Sequence, residues 1–232
     1  DTVRAPRYKK TGMNSFFGTL VFDQMVPQNH FLRALKALFD WDALGAHLIR
    51  LYKGAGRVGR PPYDPVIVLK MLFLSYLYNL SERDTEVWVN ESIPAHYFLD
   101  LAVDQHGPDH STLTPFKRRL QAGGETDELR RLLDGMLLQA RERGVEFGSI
   151  QIVDSVHTQA DVNHEKERQR QEQGRPPRDP DARVVDKGER EVVEPGGQTV
   201  KKEIRYQGYK THVAVDARTG IVTSVVLAPG DS

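Results

Sequence analysis

Asp154 ends the run Ile150-Gln151-Ile152-Val153-Asp154, a stretch rich in β-branched residues. Its alternation predicts a strand with the carboxylate on the same side as Ile150 and Ile152. An ionised Asp among Ile and Val is costly to bury unless it is paired or holds a cation. Two readings follow: a metal ligand, or a capped or salt-bridged Asp at a strand end. A hard divalent ion takes a few carboxylate oxygens plus water and phosphate, and a pair of such ions activates a water or a 3′-hydroxyl and steadies the leaving oxygen. One Asp cannot do this alone. Cations supply the second candidate chemistry. Lys117-Arg118-Arg119, after Ser111-Thr112, suit either a solvated surface or the exposed face of a helix that enters a DNA groove, in a helix-turn-helix arrangement with the helix from Ser81. Arg50, Lys53, Arg57 and Arg60, with no acid between them, form a basic loop that suits phosphate contacts or an ordinary linker.

Three weaker signals carry less. Gly54-Ala55-Gly56-Arg57-Val58-Gly59 matches a dinucleotide fingerprint, but it follows a helical pattern and precedes Arg60-Pro61-Pro62 instead of opening a helix. His106 and His110, flanked by Asp104 and Asp109 around Gly107-Pro108, fit turn and cap duties better than a metal. His157 and His164 read as exposed polar residues.

The elements that must position these residues divide into two kinds. Up to residue 145 the pattern is helical, with Phe31, Leu35, Leu38 and Phe39 and then Leu44, Leu48, Ile49 and Leu51 as expected buried faces. Asp64 reads as an N-cap and Pro65 as the first residue of a helix through Tyr78 that is apolar nearly all round. Ser81-Glu82-Arg83-Asp84 resembles a capping box and starts a helix expected to end near Pro94. A short helix follows Ser111, and a longer one carries Leu129, Leu132, Leu133, Met136, Leu137 and Ala140 before Gly144 stops it. From Ser149 the period becomes that of strands, and Asp154 lies in the first strand of an expected mixed sheet. Between Asn163 and Glu191, 16 of 29 residues are charged, eight of each sign, which predicts a solvated, flexible insertion. Val213 to Leu227, broken at Asp216-Ala217-Arg218-Thr219-Gly220, predicts a hairpin.

Composition bounds the rest. Thirty-two basic and 32 acidic residues give a net charge of +0 over 232 residues, so any basic surface is local. The absence of Cys excludes a disulfide framework, a thiolate zinc site, an iron-sulfur cluster and a Cys nucleophile, and it fits the cytoplasm. The longest apolar stretch, Val66 to Leu80, contains Lys70, Ser75 and Asn79 and is too short to span a bilayer. The chain starts at Asp1 and stops just after a strand-like run, which reads as a fragment.

Several blocks together resemble the bacterial insertion-sequence transposases. Gly59-Arg60-Pro61-Pro62-Tyr63-Asp64-Pro65 is followed by Leu69-Lys70-Met71-Leu72, Tyr78-Asn79-Leu80-Ser81-Glu82-Arg83 and Tyr97-Phe98-Leu99. Pro108-Asp109-His110-Ser111-Thr112-Leu113 and Phe116-Lys117-Arg118-Arg119-Leu120 complete the set in the family's order. Val153-Asp154-Ser155 with His157 and Ala160 resembles the strand that carries the family's first catalytic Asp. Tyr206 to Asp216 and Thr219-Gly220-Ile221-Val222 resemble the hairpin that follows. The resemblance implies an α+β chain: an all-helical, helix-turn-helix-like DNA-binding domain over 1–145, then the truncated start of an RNase H-like catalytic domain over 146–232 with the insertion at 163–191. It implies a DDE (Asp-Asp-Glu) site with Asp154 as catalytic residue and metal ligand, Mg²⁺ or Mn²⁺ bound only when the site is complete, and Asp231 as a candidate second carboxylate that stands a few residues early. The third carboxylate, a later Glu, has no counterpart in the sequence. Arg57, Arg60, Lys117, Arg118, Arg119 and Lys210 are the expected DNA contacts. The implied partners are double-stranded DNA, as transposon ends and target, and further copies of the chain on that DNA, in the bacterial nucleoid. The alternative is a truncated, catalytically inactive DNA-binding regulator of transposition.

Overall fold

The computed structural model describes residues 8–9, 16–57, 59–121, 128–193 and 199–231. It divides into two compact units, Asp1–Arg143 and Gly144–Ser232. No helix among the described residues is long and apolar enough to cross a membrane.

The first unit is helical: α1 (Phe16–Met25), α2 (Phe31–Leu38), α3 (Trp41–Gly45), α4 (Pro65–Leu77), α5 (Glu82–Glu91), α6 (Ile93–Leu99), α7 (Leu113–Gln121) and α8 (Glu128–Glu142). Asp64 caps α4 by accepting from the Val66 N–H at 2.9 Å, and Pro65, which has no N–H to satisfy, opens it. The helix is buried on nearly every side and forms the centre of the unit, where Val68, Met71 and Leu74 meet Phe98 of α6 and Phe116 of α7. Full burial of each such side chain contributes about 1.5–3 kcal/mol. Trp41 stands edge-on to Phe39, Phe73 and Phe98 with centroids 5.2–5.8 Å apart and ties α3 into the same cluster.

One local expectation is corrected, and a second, the helix end near Pro94, holds for a different reason. In α2 the buried pair is Leu32 and Leu35, whereas Phe31 and Leu38 are 55% and 47% exposed. An eight-residue helix carries overlapping apolar stripes, and the one that faces inward is set by the cluster shared with α6. Pro94 does not end α5; Ser92 caps a new helix, accepting from the Ala95 N–H at 3.3 Å, and Pro94 lies in the first turn of α6, where a missing N–H costs nothing.

The second unit holds β1 (Gln151–Gln159), α9 (His164–Glu172), β2 (Arg183–Val193), β3 (Thr199–Asp216) and β4 (Val222–Pro229). The long β3 is the hub: its second half pairs with β1 and β4, and its first half with β2. Every pairing described is antiparallel, so the expected mixed sheet is not what forms; no strand among those described runs alongside its neighbour through a crossover. The segment 163–191 is also more ordered in shape than its charge suggests. Asn163 caps α9, which is solvated all round, and the segment's end enters the sheet as β2. Gly208 is where β1 and β2 meet the hub, opposite both Gln159 and Arg183. A Cβ there would collide with the Thr158 carbonyl, so only glycine permits the approach. At the hairpin, Asp216 is buried and accepts from the N–H groups of Gly148, Arg218 and Thr219 at 2.6, 3.1 and 2.7 Å. Gly220 closes the turn at φ +72°.

Candidate functional site

Cross-strand partners share a face of the sheet, so the register assigns the surroundings of Asp154. It lies opposite Val213, in a row with Ile152 and Val156 on β1, Val215 and Thr211 on β3, and Val225 and Leu227 on β4. The alternation expected from sequence is therefore present. The burial is not: Asp154 is exposed, among the described residues its carboxylate accepts only from the Ser155 N–H, at 2.7 Å, and the apolar row beside it is open, Leu227 being 64% exposed.

Asp231 does not join Asp154. Pro229 of β4 lies opposite Tyr209, and Asp231 lies two residues beyond it, on the other flank of β3 from β1. At about 3.3 Å per residue the end of β4, opposite Tyr209, is already roughly 13 Å along β3 from Val213, more than one ion bridges. Its carboxylate instead pairs with Arg183 at 3.1 Å. Lys210 lies opposite His157 and Ala228, on the face of the sheet away from Asp154, and His157 shares that face. His164 starts α9. A single exposed carboxylate does not make a divalent-metal site, and the residues described at Asp154 do not fit one by themselves.

In the helical unit, three consecutive residues on a helix point in three directions, about 100° apart, and Lys117, Arg118 and Arg119 do so. Lys117 turns to Glu82 of α5, which also accepts from the Thr114 hydroxyl at 2.7 Å. Burial would raise the Glu82 carboxyl, but the hydrogen bonds from Lys117 and Thr114 outweigh it and hold it below the usual carboxylate range. Arg119 lies over the Tyr52 ring at 4.4 Å. Arg118 alone of the three is exposed. The expected single basic face is thus replaced by one ion pair, one stacked guanidinium and one solvated cation. α5 and α7 do meet through these contacts, and Glu86 of α5 ties it to the turn before α7, accepting from the His110 N–H at 3.0 Å and lying 2.5 Å from its Nδ1. α6 stands between them in the chain, so they are not a helix pair joined by a short turn.

Glu86, Asp109 and His110 are close enough to hold an ion. Asp109 caps the turn at 110–112, accepting from the Ser111 N–H at 2.7 Å, which matches the cap duty expected of this stretch. Of the loop cations, Arg57 is exposed, and Arg60 lines a cleft with Arg119. Sequence spacing gave no means of joining those two, and Tyr52, Tyr63 and Lys9, which share the cleft, carried no signal of it.

No solved structure matches the chain. Residues 20–119, from within α1 into α7, match the family model described as Transposase domain (DUF772), so this part of the helical unit is similar to transposase domains.

Proposed function

We propose that the chain is the end-binding unit and the first catalytic strands of a DDE-type insertion-sequence transposase. The observation that carries the reading is the transposase-domain match over 20–119, followed by a strand with Asp154 in its middle and a central antiparallel partner. In this reading the helical unit holds the inverted terminal repeats, with Arg57, Arg60, Arg118 and Arg119 neutralising phosphates and copies of the chain pairing on the DNA. Lys117 is better described as a brace between α5 and α7. The sheet is read as the beginning of an RNase H-like domain, supported by its order, in which β3 lies between β1 and β4. Such an enzyme hydrolyses a phosphodiester to free a 3′-hydroxyl and joins that hydroxyl to target DNA. Divalent Mg²⁺ or Mn²⁺ would neutralise charge on the attacking and leaving oxygens. Asp154 is the residue that would hold such an ion, and one carboxylate alone does not support a metal-dependent step.

The separation of Asp154 from Asp231 favours the second reading for this chain on its own, a DNA-binding regulator without catalysis. A gel-shift and nicking assay with a supercoiled plasmid bearing the element's ends, in Mg²⁺ and in Mn²⁺, separates the two. Binding without nicking supports the regulator. In an enzyme extended by its remaining carboxylates, Asp154→Asn should abolish cleavage and leave end binding within about twofold; cleavage at the unsubstituted rate refutes the assignment of Asp154.

A further inference from the structure

Lys9, Lys53, Arg60 and Arg119 come from separate stretches of the helical unit and meet around one cleft of about 510 Å³. Asp109 is the only acid among the residues that line it, so cations exceed acids four to one. None of the four cations is in an ion pair among the described residues. Two of them are held in place by aromatic rings. Lys9 Nζ lies 4.1 Å from the Tyr63 ring centroid and 2.7 Å from its hydroxyl, and the Arg119 guanidinium lies over Tyr52. The Tyr52 hydroxyl is buried beside Arg119 at the same wall. Pro61, Pro62 and Pro115 also line the cleft and offer it no N–H.

Four cations outside any ion pair, two of them held by rings, make an open cleft that selects an anion. Asp109, whose carboxylate already takes the Ser111 N–H at the start of the neighbouring turn, repels a phosphate dianion more than a phosphodiester, which carries one charge. We propose that this cleft clamps the phosphodiester backbone of a DNA strand, with Arg119 and Lys9 as preset contacts and Lys53 and Arg60 as exposed ones. The proposal rests on the reading of this unit as DNA-binding, and it adds to the solvated Arg118 a cleft assembled from four segments.

The test uses the full chain, a labelled duplex of arbitrary sequence and fluorescence anisotropy over a salt series. Each phosphate contact contributes about 0.9 to the slope of log K against log salt, or about eightfold in affinity between about 1 M and about 0.1 M salt. Lys53→Ala combined with Arg60→Ala should therefore lower the slope by about 1.8 and the affinity near 0.1 M by about 60-fold. Both residues are exposed, and an unchanged circular dichroism spectrum checks the fold. Arg130→Ala on α8 removes an exposed cation elsewhere and should leave the slope unchanged. The clamp is overturned if the double variant keeps the wild-type slope, or if Arg130→Ala lowers it as much per charge. Displacement of the duplex by inorganic phosphate or ATP at equal phosphate concentration overturns it in favour of a free phosphate compound. A wild-type chain that binds no duplex at any salt refutes the DNA-binding reading itself, a result distinct from all of these.

Discussion

Asp100→Ala should destabilise the helical unit far more than Lys70→Met, although the two side chains belong to one ion pair. Lys70 Nζ lies 2.5 Å from Asp100 Oδ2, and Lys36 Nζ lies 2.6 Å from Oδ1. The Lys70 side chain is 4% exposed, its Nζ 5.8 and 5.6 Å from the ring centroids of Trp41 and Phe98, whereas that of Asp100 is 39% exposed. Asp100 also ends α6 in the left-handed region at φ 60°. Removing its carboxylate strands a buried ammonium, a loss in the range of about 3–5 kcal/mol, and places Ala in a conformation that Asp tolerates better. Replacing Lys70 by Met removes the buried charge, keeps the volume and leaves Asp100 with Lys36 and water, for a change within about 1.5 kcal/mol. Burial lowers the pKa of Lys70 from 10.5, with Asp100 opposing the fall. A base with a lowered folded pKa reduces stability below that pKa, and the loss is relieved as pH rises through it towards the unfolded value. Without Asp100 the folded value drops further, so the deficit of Asp100→Ala should shrink between pH 7 and pH 9.5. Both tryptophans, Trp41 and Trp88, lie in the helical unit, so urea unfolding followed by tryptophan fluorescence reports on this unit. The reasoning fails if Asp100→Ala is no worse than Lys70→Met, or if its deficit grows with pH.

Two further outcomes follow from the same contacts. Arg118→Ala should lower the salt slope of DNA binding by about 0.9, whereas Lys117→Ala, which loses only a half-exposed bridge to Glu82, should leave the slope unchanged and cost under about 1 kcal/mol; equal slopes for the two would refute the distinction. In the sheet unit, burial would raise the Asp216 carboxyl, but hydrogen bonds from Thr219, Gly148 and Arg218 outweigh it and hold it below 3.8. Its contribution is present above that pH and lost as pH falls through the lowered folded value, so Asp216→Asn should weaken the sheet at neutral pH and flatten its acid unfolding in far-UV circular dichroism.

What was legible in the sequence was what a few neighbouring residues decide. Asp64-Pro65, Ser81 with Asp84, Gly144 and the turn closed by Gly220 all behave as their types dictate, because caps and turns are settled within four residues. What the sequence withheld depends on partners far along the chain. Lys117 looked like a solvent-facing cation until Glu82 was brought to it, and Arg60 and Arg119 looked unrelated until one cleft held both. β2 was hidden by its charges, since strand formation there rests on pairing with β3 and not on an apolar face. Asp231 failed as a companion for Asp154 because strand register is a long-range property.

Register also sharpens what Asp154 requires. Its carboxylate stands in a row of Ile152, Val156, Val213, Val225 and Leu227, and water reaches it because that row is open. A charge in contact with water carries no burial penalty, so in this arrangement Asp154 needs neither a cation nor a partner. Any layer packed on the same face would bury the apolar row and remove that water. The carboxylate would then have to take up a proton, gain a cationic partner or bind a metal ion. The need for a cation at Asp154 is thus tied to the covering of the apolar row, and a carboxylate tested on an open sheet should show neither metal affinity nor a catalytic role.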